Sequence, residues 1–336
     1  MRAVCLVVLW CLSMVSHAVI VPDLYRVRVP VTDQSAASQA AGIQEALQLL
    51  VVKVSGQSLS VQTDAVQQAA AEAERYVKSF RYSRDDGEAG LQLEVTFAQN
   101  LIDDLLNKSG LPVWGKSRPL VLLWQGVEDD RQRLVVNQAE TVWRSQLEAA
   151  MNERGIPLLW PALDLQDEAA LPVARLWGLF RQDISAASER YMADAVMAGR
   201  LSPSVQGGWQ YTGFLHHKDD WLELQAQDEE VSAVLRQVAG QVAEFMSGRY
   251  AVISDGSAGG HQLVIQGIES FRQYHDVITY LSANVAVNAV HVVAVNQQEL
   301  TLELDLAAEW PQVWSMLALD KRLQSTEQDS VYRWRQ

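Results

Sequence analysis

The sequence predicts a multi-domain α+β protein. We expect a small α+β domain at residues 22–114, a central α/β domain with a partly parallel sheet at residues 118–253, and a ferredoxin-like α+β domain at residues 261–336. Three observations support this division. Alternating strands characterise both ends of the chain, continuous apolar strands characterise its middle, and two short polar connectors separate these segments. With 336 residues, the chain is long enough to form several cores.

The first eighteen residues have the pattern of a secretory signal peptide. Arg2 precedes an apolar run from Ala3 to Val15, and residues 16–18 have small side chains at the first and third places. The run is too short to span a bilayer, and the small residues are typical of a cleavage site. We therefore predict a cleaved signal peptide at residues 1–18, a mature chain that begins near Val19, and a periplasmic location.

Composition excludes several other classes of function. Both cysteines, Cys5 and Cys11, lie in the leader, so the predicted mature chain has no thiol for a disulfide, a nucleophile or a metal ligand. Cys11 follows the bulky Trp10, which argues against a lipid anchor. No later apolar run approaches the roughly twenty residues of a membrane helix, so no integral membrane segment is expected. The formal net charge of -14 disfavours nucleic acid as a partner.

The first domain is predicted to run strand, helix, helix, strand, strand, helix. Valines alternate with arginines from Arg26 onward, and a helical apolar stripe begins at Ile43. Asp33 or Ser35 can cap the start of that helix, and Gly56 follows its end. The same patterns predict a helix at Asp64–Lys78, strands at Phe80–Arg84 and Leu91–Phe97 joined across Asp85–Gly90, and a helix at about Gln99–Lys108.

The second domain has a different pattern beyond the connector at Lys116–Pro119. The continuous apolar runs Leu120–Trp124 and Ile156–Trp160 are typical of strands covered on both faces. A helix between them, ending at Gly155, makes a βαβ unit and predicts a parallel pair. The later predictions are a helix at Leu171–Tyr191, a strand at Asp194–Leu201, a hairpin of Trp209–Phe214 and Trp221–Gln225, and a helix whose stripe runs from Val231 to Phe245 and which ends at Gly248.

The third domain follows a flexible linker at Asp255–Gly260. Its element order, β-α-β-β-α with a further strand at the end, predicts a ferredoxin-like sandwich. The first domain has a related order, which suggests an internal duplication. The predicted elements are a strand at Gln262–Gly267, a helix stripe from Phe271 to Leu281, strands at Val290–Val295 and Leu300–Leu306, a helix stripe from Trp310 to Leu317, and a strand at Val331–Trp334.

Four parts of the chain resemble a known family. The segment Leu24–Ser35, followed by an Ala-rich helix that ends in Val51–Gly56, resembles the start of an exported Gram-negative family known only as domain of unknown function 2066. Trp124–Gly126, Trp160–Asp164 and Gly199–Leu201 are similar to that family as well. The resemblance covers most of the mature chain and implies a periplasmic protein without known chemistry. No catalytic residue or ligand carries over from it.

One group of side chains has the composition of a metal site. His216 and His217 are followed by Asp219 and Asp220, at the tip of the predicted hairpin. Adjacent residues on a strand point to opposite faces, so both histidines reach one ion only if the tip is distorted. A polar turn explains the group more simply. The two histidines remain candidate metal ligands, and no cofactor is predicted.

No catalytic residues are predicted. The sequence lacks a Gly-x-Ser-x-Gly elbow and a phosphate-binding loop. Asp164 and Asp167 follow a predicted strand, where α/β domains often carry functional groups, but they are better explained as caps of the next helix. His291 lies in an apolar strand and is interpreted as a sheet residue.

Four residues are candidates for binding. Arg26 and Arg28 project from the polar face of the first strand, and Trp209 and Trp221 are expected near the hairpin tip. Trp114, in the connector, is a further tryptophan that is a candidate for exposure and therefore for binding. Packing and solvation are the simpler explanations for all of them.

We therefore expect a non-catalytic adaptor or assembly factor that binds envelope proteins. The first alternative is a protein that binds glycan or lipid in a groove between domains. The second is a cysteine-free hydrolase that uses Asp, Glu or His.

Overall fold

The computed structural model describes residues 19–84, 90–137, 141–253 and 259–335. The predicted signal peptide, most of the predicted turn at Asp85–Gly90 and most of the predicted linker at Asp255–Gly260 lie outside the described residues. Within them, helices pack on sheets of mixed strand direction, which confirms the α+β class. In this part of the chain, no helix has both the length and the apolar character needed to cross a bilayer.

The N-terminal unit is a three-stranded antiparallel sheet with helices on one face. Its elements are β1 (Val19–Ile20), β2 (Arg26–Pro30), α1 (Ala36–Ser55), α2 (Asp64–Ala71), β3 (Val77–Arg84), β4 (Leu91–Phe97) and α3 (Gln99–Lys108). The sheet order is β2-β4-β3. The predicted helix at Asp64–Lys78 ends at Ala71, because Val77 pairs with Phe97 and the chain has already turned to join the sheet.

Helix α1 has the ends that its sequence predicts. The Ser35 hydroxyl accepts a hydrogen bond from the backbone N–H of Ser38. Gly56 has φ of 72° and donates its N–H to the carbonyl of Val52, so the helix ends in a left-handed residue. A side chain at Gly56 would also lie 2.3 Å from Cβ of Ser247, so glycine is required both by conformation and by close packing.

The central unit is built on a six-stranded sheet. Its elements are β5 (Ser117–Arg118), β6 (Val121–Asp129), β7 (Gln132–Val135), α4 (Thr141–Glu153), β8 (Leu158–Leu159), α5 (Leu165–Ala170), α6 (Val173–Trp177), α7 (Arg181–Ser188), β9 (Ala195–Pro203), β10 (Trp209–His217), β11 (Asp220–Asp228) and α8 (Val231–Tyr250). The sheet order is β11-β10-β9-β6-β7, with β8 also beside β6; β5 instead pairs with β1. Strand β6 is parallel to β8 and β9, and the other pairs are antiparallel, so the sheet is partly parallel as predicted.

Three predicted boundaries in this unit are wrong. The strand predicted at Ile156–Trp160 has two residues, Leu158 and Leu159. The helix predicted at Leu171–Tyr191 is broken into α6 and α7, because the chain turns at Gly178 and Leu179 adopts φ of 51°. Helix α8 continues through Gly248 to Tyr250, since burial of its apolar stripe outweighs the low helix propensity of one glycine.

The C-terminal unit has a five-stranded sheet. Its elements are β12 (Gly260–Gln266), α9 (Phe271–Ser282), β13 (Val287–Asn296), β14 (Glu299–Leu306), α10 (Trp310–Leu317), β15 (Leu323–Ser325) and β16 (Val331–Trp334). The sheet order is β13-β14-β12-β16-β15. Strands β12, β14 and β13 are antiparallel neighbours in that order. They correspond to β2, β4 and β3 of the N-terminal unit, since in each set of three the third strand along the chain lies between the first and the second. The two ends of the chain therefore share one topology.

The last strand departs from a ferredoxin-like sandwich. In that fold a single final strand lies beside the first strand and is antiparallel to it. Here β15 and β16 form a hairpin, and β16 lies beside β12 in the parallel direction. Strand β15 is antiparallel to β12, as the final strand of that fold would be, but β16 lies between β15 and β12.

A buried arginine joins the N-terminal unit to the central one. Arg118 is fully buried, and its guanidinium lies 3.9 Å from the ring centre of Trp114. Trp114 is itself 1% exposed, so it is not available for binding. Among the described residues, Arg118 donates to five backbone carbonyls at 2.8–3.1 Å, those of Lys53, Trp114, Gly115, Arg154 and Gly155.

The apolar cores do not follow the three sheets. The N-terminal unit has its own cluster, centred on α1 and β4. A second cluster runs from the central sheet and α8 into the C-terminal sheet, so these two units share a continuous core. A third covers the opposite face of the central sheet, beneath α6 and α7. Gln312 also donates to the carbonyl of Ala251 across the junction of the last two units.

Candidate functional site

The N-terminal sheet carries a cluster of arginines on the face away from its helices. Arg28 and Arg81 stand on either side of Glu94 in the strand register. Arg28 lies 3.0 Å and Arg81 lies 2.8 Å from the Glu94 carboxylate. Arg26 lies 3.6 Å from the same carboxylate and 3.2 Å from that of Asp23. We call Arg26, Arg28, Arg81 and Glu94 the arginine face.

The arginine face presents cations and hides its carboxylate. The side chains of Arg26, Arg28 and Arg81 are 39%, 50% and 68% exposed, whereas that of Glu94 is 6% exposed. Burial alone would raise the pKa of Glu94, but hydrogen bonds from Arg81 and Arg28 outweigh it and hold the pKa below its usual value. Three guanidiniums therefore face solvent against two carboxylates, on a chain whose net charge is -14.

Sequence reasoning found two of these arginines and missed the third. Arg26 and Arg28 alternate with valines on one strand, so their shared face is visible in the sequence. Arg81 lies on another strand, and its position depends on the register between β3 and β4. The sequence does hold one indication of its position. Arg81 lies between the aromatic residues Phe80 and Tyr82, and this alternation places Arg81 on the polar face of the strand.

The two candidate tryptophans lie at opposite ends of the β10–β11 hairpin. Trp221 pairs with His216 near the tip, whereas Trp209 pairs with Asp228 at the far end. Trp209 is partly buried, and its ring centre lies 5.3 Å from that of Trp143. Only Trp221 is therefore close to the tip, which corrects the expectation for Trp209.

Trp221 is 38% exposed, but its ring already has neighbours. The His216 ring stacks on it with ring centres 4.0 Å apart, and the Arg181 guanidinium lies 4.6 Å from its centre. Arg181 also forms an ion pair with Glu223. Such packing leaves little open ring surface for stacking on a sugar.

The two candidate metal ligands point to opposite faces of β10. His216 stacks on Trp221, whereas His217 is buried and uses both ring nitrogens. Nδ1 of His217 lies 2.8 Å from the carbonyl of Asp194, and Nε2 lies 2.7 Å from the hydroxyl of Tyr250. Burial lowers the pKa of His217. In the described ranges, no group of three or more metal-ligating side chains comes together.

Asp164 is a helix cap, as expected, whereas Asp167 lies within α5 and accepts a hydrogen bond from the backbone N–H of Leu163. Asp164 accepts hydrogen bonds from the backbone N–H groups of Gln166 and Asp167 at the start of α5. Arg190 donates to both carboxylates, and its hydrogen bonds to Asp164 hold the pKa of that carboxyl well below its usual range. Tyr191 donates to Asp167, so this cluster ties two loops together.

The central unit has a cleft at the carboxyl end of β8. Its volume is about 730 Å³, which lies within the usual range for ligand sites. Leu163, in its wall, adopts φ of 50°, a conformation that leucine rarely takes. Arg133 and Glu168 are the charged residues of the described lining. The other lining residues are Leu134, Val135, Asn137, Ala162, Leu163, Leu171, Pro172 and Val173.

Two of the spaces that the described residues line lie between units. The larger, of about 490 Å³, lies where Ser58 of the N-terminal unit meets Arg154 and Glu244 of the central unit. A cavity of about 110 Å³ lies where Ile20 and Lys116 meet Tyr280 and Val285 of the C-terminal unit. That volume is below the 300 Å³ or so of a small ligand site. This junction is too small for a glycan or lipid, whereas the space beside Ser58 exceeds that volume.

Comparison with known proteins gives one match. Residues 18–115 match a family model described as a domain of unknown function (DUF8605). This is a different family from domain of unknown function 2066, so the family expected from the sequence is corrected, and the expectation of an uncharacterised family is confirmed. The matched residues include the whole arginine face. No curated protein matches the chain.

Proposed function

We propose that the protein is a non-catalytic adaptor or assembly factor of the cell envelope, which binds an acidic segment of another envelope protein on its arginine face. The observation that supports this proposal is that three arginines from two strands lie around one buried carboxylate. They are Arg26, Arg28 and Arg81, and the carboxylate is that of Glu94. Guanidinium groups recognise carboxylates through paired hydrogen bonds, and arginine is enriched in protein interfaces.

The arrangement suits binding better than stability. Exposed ion pairs contribute about 0–1 kcal/mol each, so folding alone gives little reason to gather three arginines in one place. Glu94 restricts the motion of Arg28 and Arg81, which lowers the entropy lost when a partner binds. The positive face on an acidic chain also orients an acidic partner during approach.

Photo-crosslinking in cells tests this proposal. Ser79 is exposed and pairs with Thr96 in the sheet, so a benzoyl-phenylalanine at this position lies beside the arginines on the same face. We expect a discrete adduct with an envelope protein, and loss of that adduct in the double variant Arg28→Glu, Arg81→Glu. The control is Arg75→Glu, which reverses an exposed arginine that pairs with Glu72 elsewhere on the same unit. An adduct that survives the double reversal would contradict the proposal.

The periplasmic location supports the choice of partner and has its own test. The pattern of residues 1–18 is that of a cleaved leader. We expect the protein to be released by osmotic shock, with Val19 as its first residue by mass spectrometry. A chain that keeps residues 1–18, or that stays with the cytoplasmic fraction, would contradict this location.

A second candidate function is binding of an apolar ligand in the central cleft. Its volume of about 730 Å³ and the side chains of Leu134, Leu163 and Leu171 favour a lipid chain over a sugar. We expect a fatty acid to raise the melting temperature, and Leu171→Trp to abolish that rise by filling the cleft. No shift with saturating fatty acid would dismiss this function. The described lining brings together one carboxylate and no histidine, so a hydrolase is not proposed.

A further inference from the structure

We propose that the chain forms a homodimer through β13, which pairs antiparallel with β13 of a second copy. This surface lies in the C-terminal unit and is separate from the arginine face. It is independent of the proposed adaptor function, and either proposal can fail alone.

The first observation is that β13 is a sheet edge without the charge or proline that protects other edges. It lies at one end of the C-terminal sheet and pairs with β14 on one side only. Its ten residues, Val287–Asn296, contain no charged side chain and no proline. A sheet edge of this kind readily pairs with another strand, and proteins usually protect it with charge.

The other long edges have that protection. Among the described edge strands of five or more residues, β13 alone has no charge or proline. The protecting residues are Arg26, Arg28 and Pro30 in β2, Lys78, Arg81 and Arg84 in β3, and Asp220, Glu223 and Asp228 in β11. The contrast indicates that the β13 edge has a partner.

The second observation is exposed apolar surface beside this edge. Val292 and Val295 stand opposite the fully buried Leu302 and Leu300, so they belong to the core face of the sheet. Even so, Val292 is 41% and Val295 is 58% exposed. Phe271, at the start of α9, is 82% exposed.

Electrostatics permit a second copy as the occupant. The outer face of β14 is acidic, with Glu299, Glu303 and Asp305. In the proposed dimer, the two β14 strands would be separated by three strand spacings, about 14 Å, which exceeds the Debye length of about 8 Å at physiological salt. Two copies of an acidic chain can therefore meet at this edge without close repulsion, which the acidic β11 edge would not allow.

The side chains of β13 also make this strand a suitable partner for a second copy of itself. The edge lacks charges that would select a charged segment, so it suits an uncharged, valine-rich strand. β13 is such a strand. A symmetric pairing would place Val292 and Val295 of both copies on one continuous face.

Two bulges limit the register of this pairing. The ladder with β14 shifts at Asn288 and at Val293, which leaves Ala289–Val292 as the regular run between them. A two-fold axis perpendicular to the sheet keeps both helix layers on one side, and it requires one residue to pair with its own copy. We place that residue within Ala289–Val292.

Sedimentation equilibrium of the purified chain tests the dimer. We expect a monomer–dimer equilibrium, and a dissociation constant raised by about tenfold or more in Val293→Lys and in Val295→Lys. The matched control is Val205→Lys, at a fully exposed valine in the turn before β10. Urea unfolding of each variant shows whether the fold is kept. A monomer at up to about 100 μM, or a dimer that Val293→Lys leaves unchanged, overturns the proposal.

Disulfide trapping gives a second readout. From Val19 onward the chain has no cysteine, so a single introduced cysteine reports only its own pairing. We expect oxidation to link one position within Ala289–Val292 far more than its neighbours, because adjacent residues face opposite sides of the sheet. A cysteine at Val205 is the control. Equal yields along β13 and at Val205 overturn the proposed register and the dimer with it.

Discussion

At the scale of single residues, Arg118 is a buried cation that has no carboxylate partner among the described residues. Its hydrogen bonds end on carbonyls near the C-termini of α1 and α4, where the helix dipoles are negative. Burial lowers its pKa to about 9. Five carbonyl acceptors and an aromatic ring thus take the place of the missing anion.

Replacing Arg118 should destabilise the protein strongly. We expect Arg118→Met to lower the free energy of unfolding by about 3–5 kcal/mol, because several buried carbonyls lose their donor. Arg118→Lys keeps the charge but has three donors for five acceptors, so its loss should be smaller. Urea unfolding measures both, with Arg84→Ala, an exposed arginine, as control. A change below about 1 kcal/mol for Arg118→Met would contradict this role.

Lys53, near Arg118, should make stability depend on pH. Its side chain is 8% exposed, and burial, with help from Arg118, lowers its pKa from 10.5 to about 8. Between these two values the unfolded chain binds more protons than the folded one, so the free energy of unfolding rises with pH. The full difference is worth about 3 kcal/mol.

The substitution Lys53→Met isolates this contribution. We expect the wild-type free energy of unfolding to rise relative to that of the variant between pH 8 and 10, measured in urea at each pH. Gln39→Met, in the same helix, is the control because it removes no charge. If the free energies of unfolding of wild type and Lys53→Met change with pH in the same way, burial does not lower the pKa of Lys53.

Single residues show where sequence reasoning succeeds and where it stops. Ser35, Gly56 and Asp164 were identified as caps because capping depends on neighbours along the chain. The burial of Trp114 and the pairing of Arg81 with Glu94 depend on residues distant in sequence, and the local pattern assigns Arg81 only to the polar face of its strand.

At the scale of elements, a glycine pair lets Tyr211 lie flat on the central sheet. Gly199 in β9 pairs with Gly213 in β10. A Cβ on Gly199 would lie 2.0 Å from the Tyr211 hydroxyl oxygen, and one on Gly213 would lie 2.9 Å from the same ring. Tyr211 is 1% exposed, so the ring has no room to move away.

The substitution Gly199→Ala should therefore cost about 1–3 kcal/mol through overpacking. We expect Tyr211→Leu in the same chain to recover part of that loss, giving a non-additive double-mutant cycle. Gly248→Ala is the matched control: nothing lies within 4 Å of its Cβ, so alanine should stabilise α8. Additive effects of Gly199→Ala and Tyr211→Leu in urea unfolding would refute the contact.

Element types were easier to predict than element ends. Periodicity identified α1, β4 and α8, because each has one long buried face. The helix predicted through Lys78 failed at its end, since strand pairing at Val77 overrides local propensity. Strand β16 has the predicted bounds, Val331–Trp334, whereas the three-residue strand β15 carried too little pattern to be placed.

At the scale of the whole molecule, the N-terminal unit is not closed on itself. Arg118 and Arg154 supply hydrogen bonds to its Lys53 carbonyl and its Ser58 hydroxyl. Glu244 of α8 also accepts hydrogen bonds from Ser58. The segment that matches a family model, residues 18–115, ends before all three of these partners.

A fragment of residues 19–115 should therefore be less stable than the same unit in the full chain. We expect a fragment extended to residue 253, which regains Arg118, Arg154 and α8, to recover most of the difference. Thermal unfolding followed by circular dichroism measures both fragments. Equal melting temperatures would show that the N-terminal unit folds without its neighbours.

The position of Arg118 also sets an order of events during synthesis. Helix α1 leaves the ribosome about 100 residues before Gly155, whose carbonyl shares the Arg118 guanidinium with the end of that helix. At about 5–20 residues per second, the nascent helix waits some 5–20 s before its C-terminus is fully enclosed. We therefore expect the end of helix α1 to become resistant to proteases only after the chain through Gly155 has emerged.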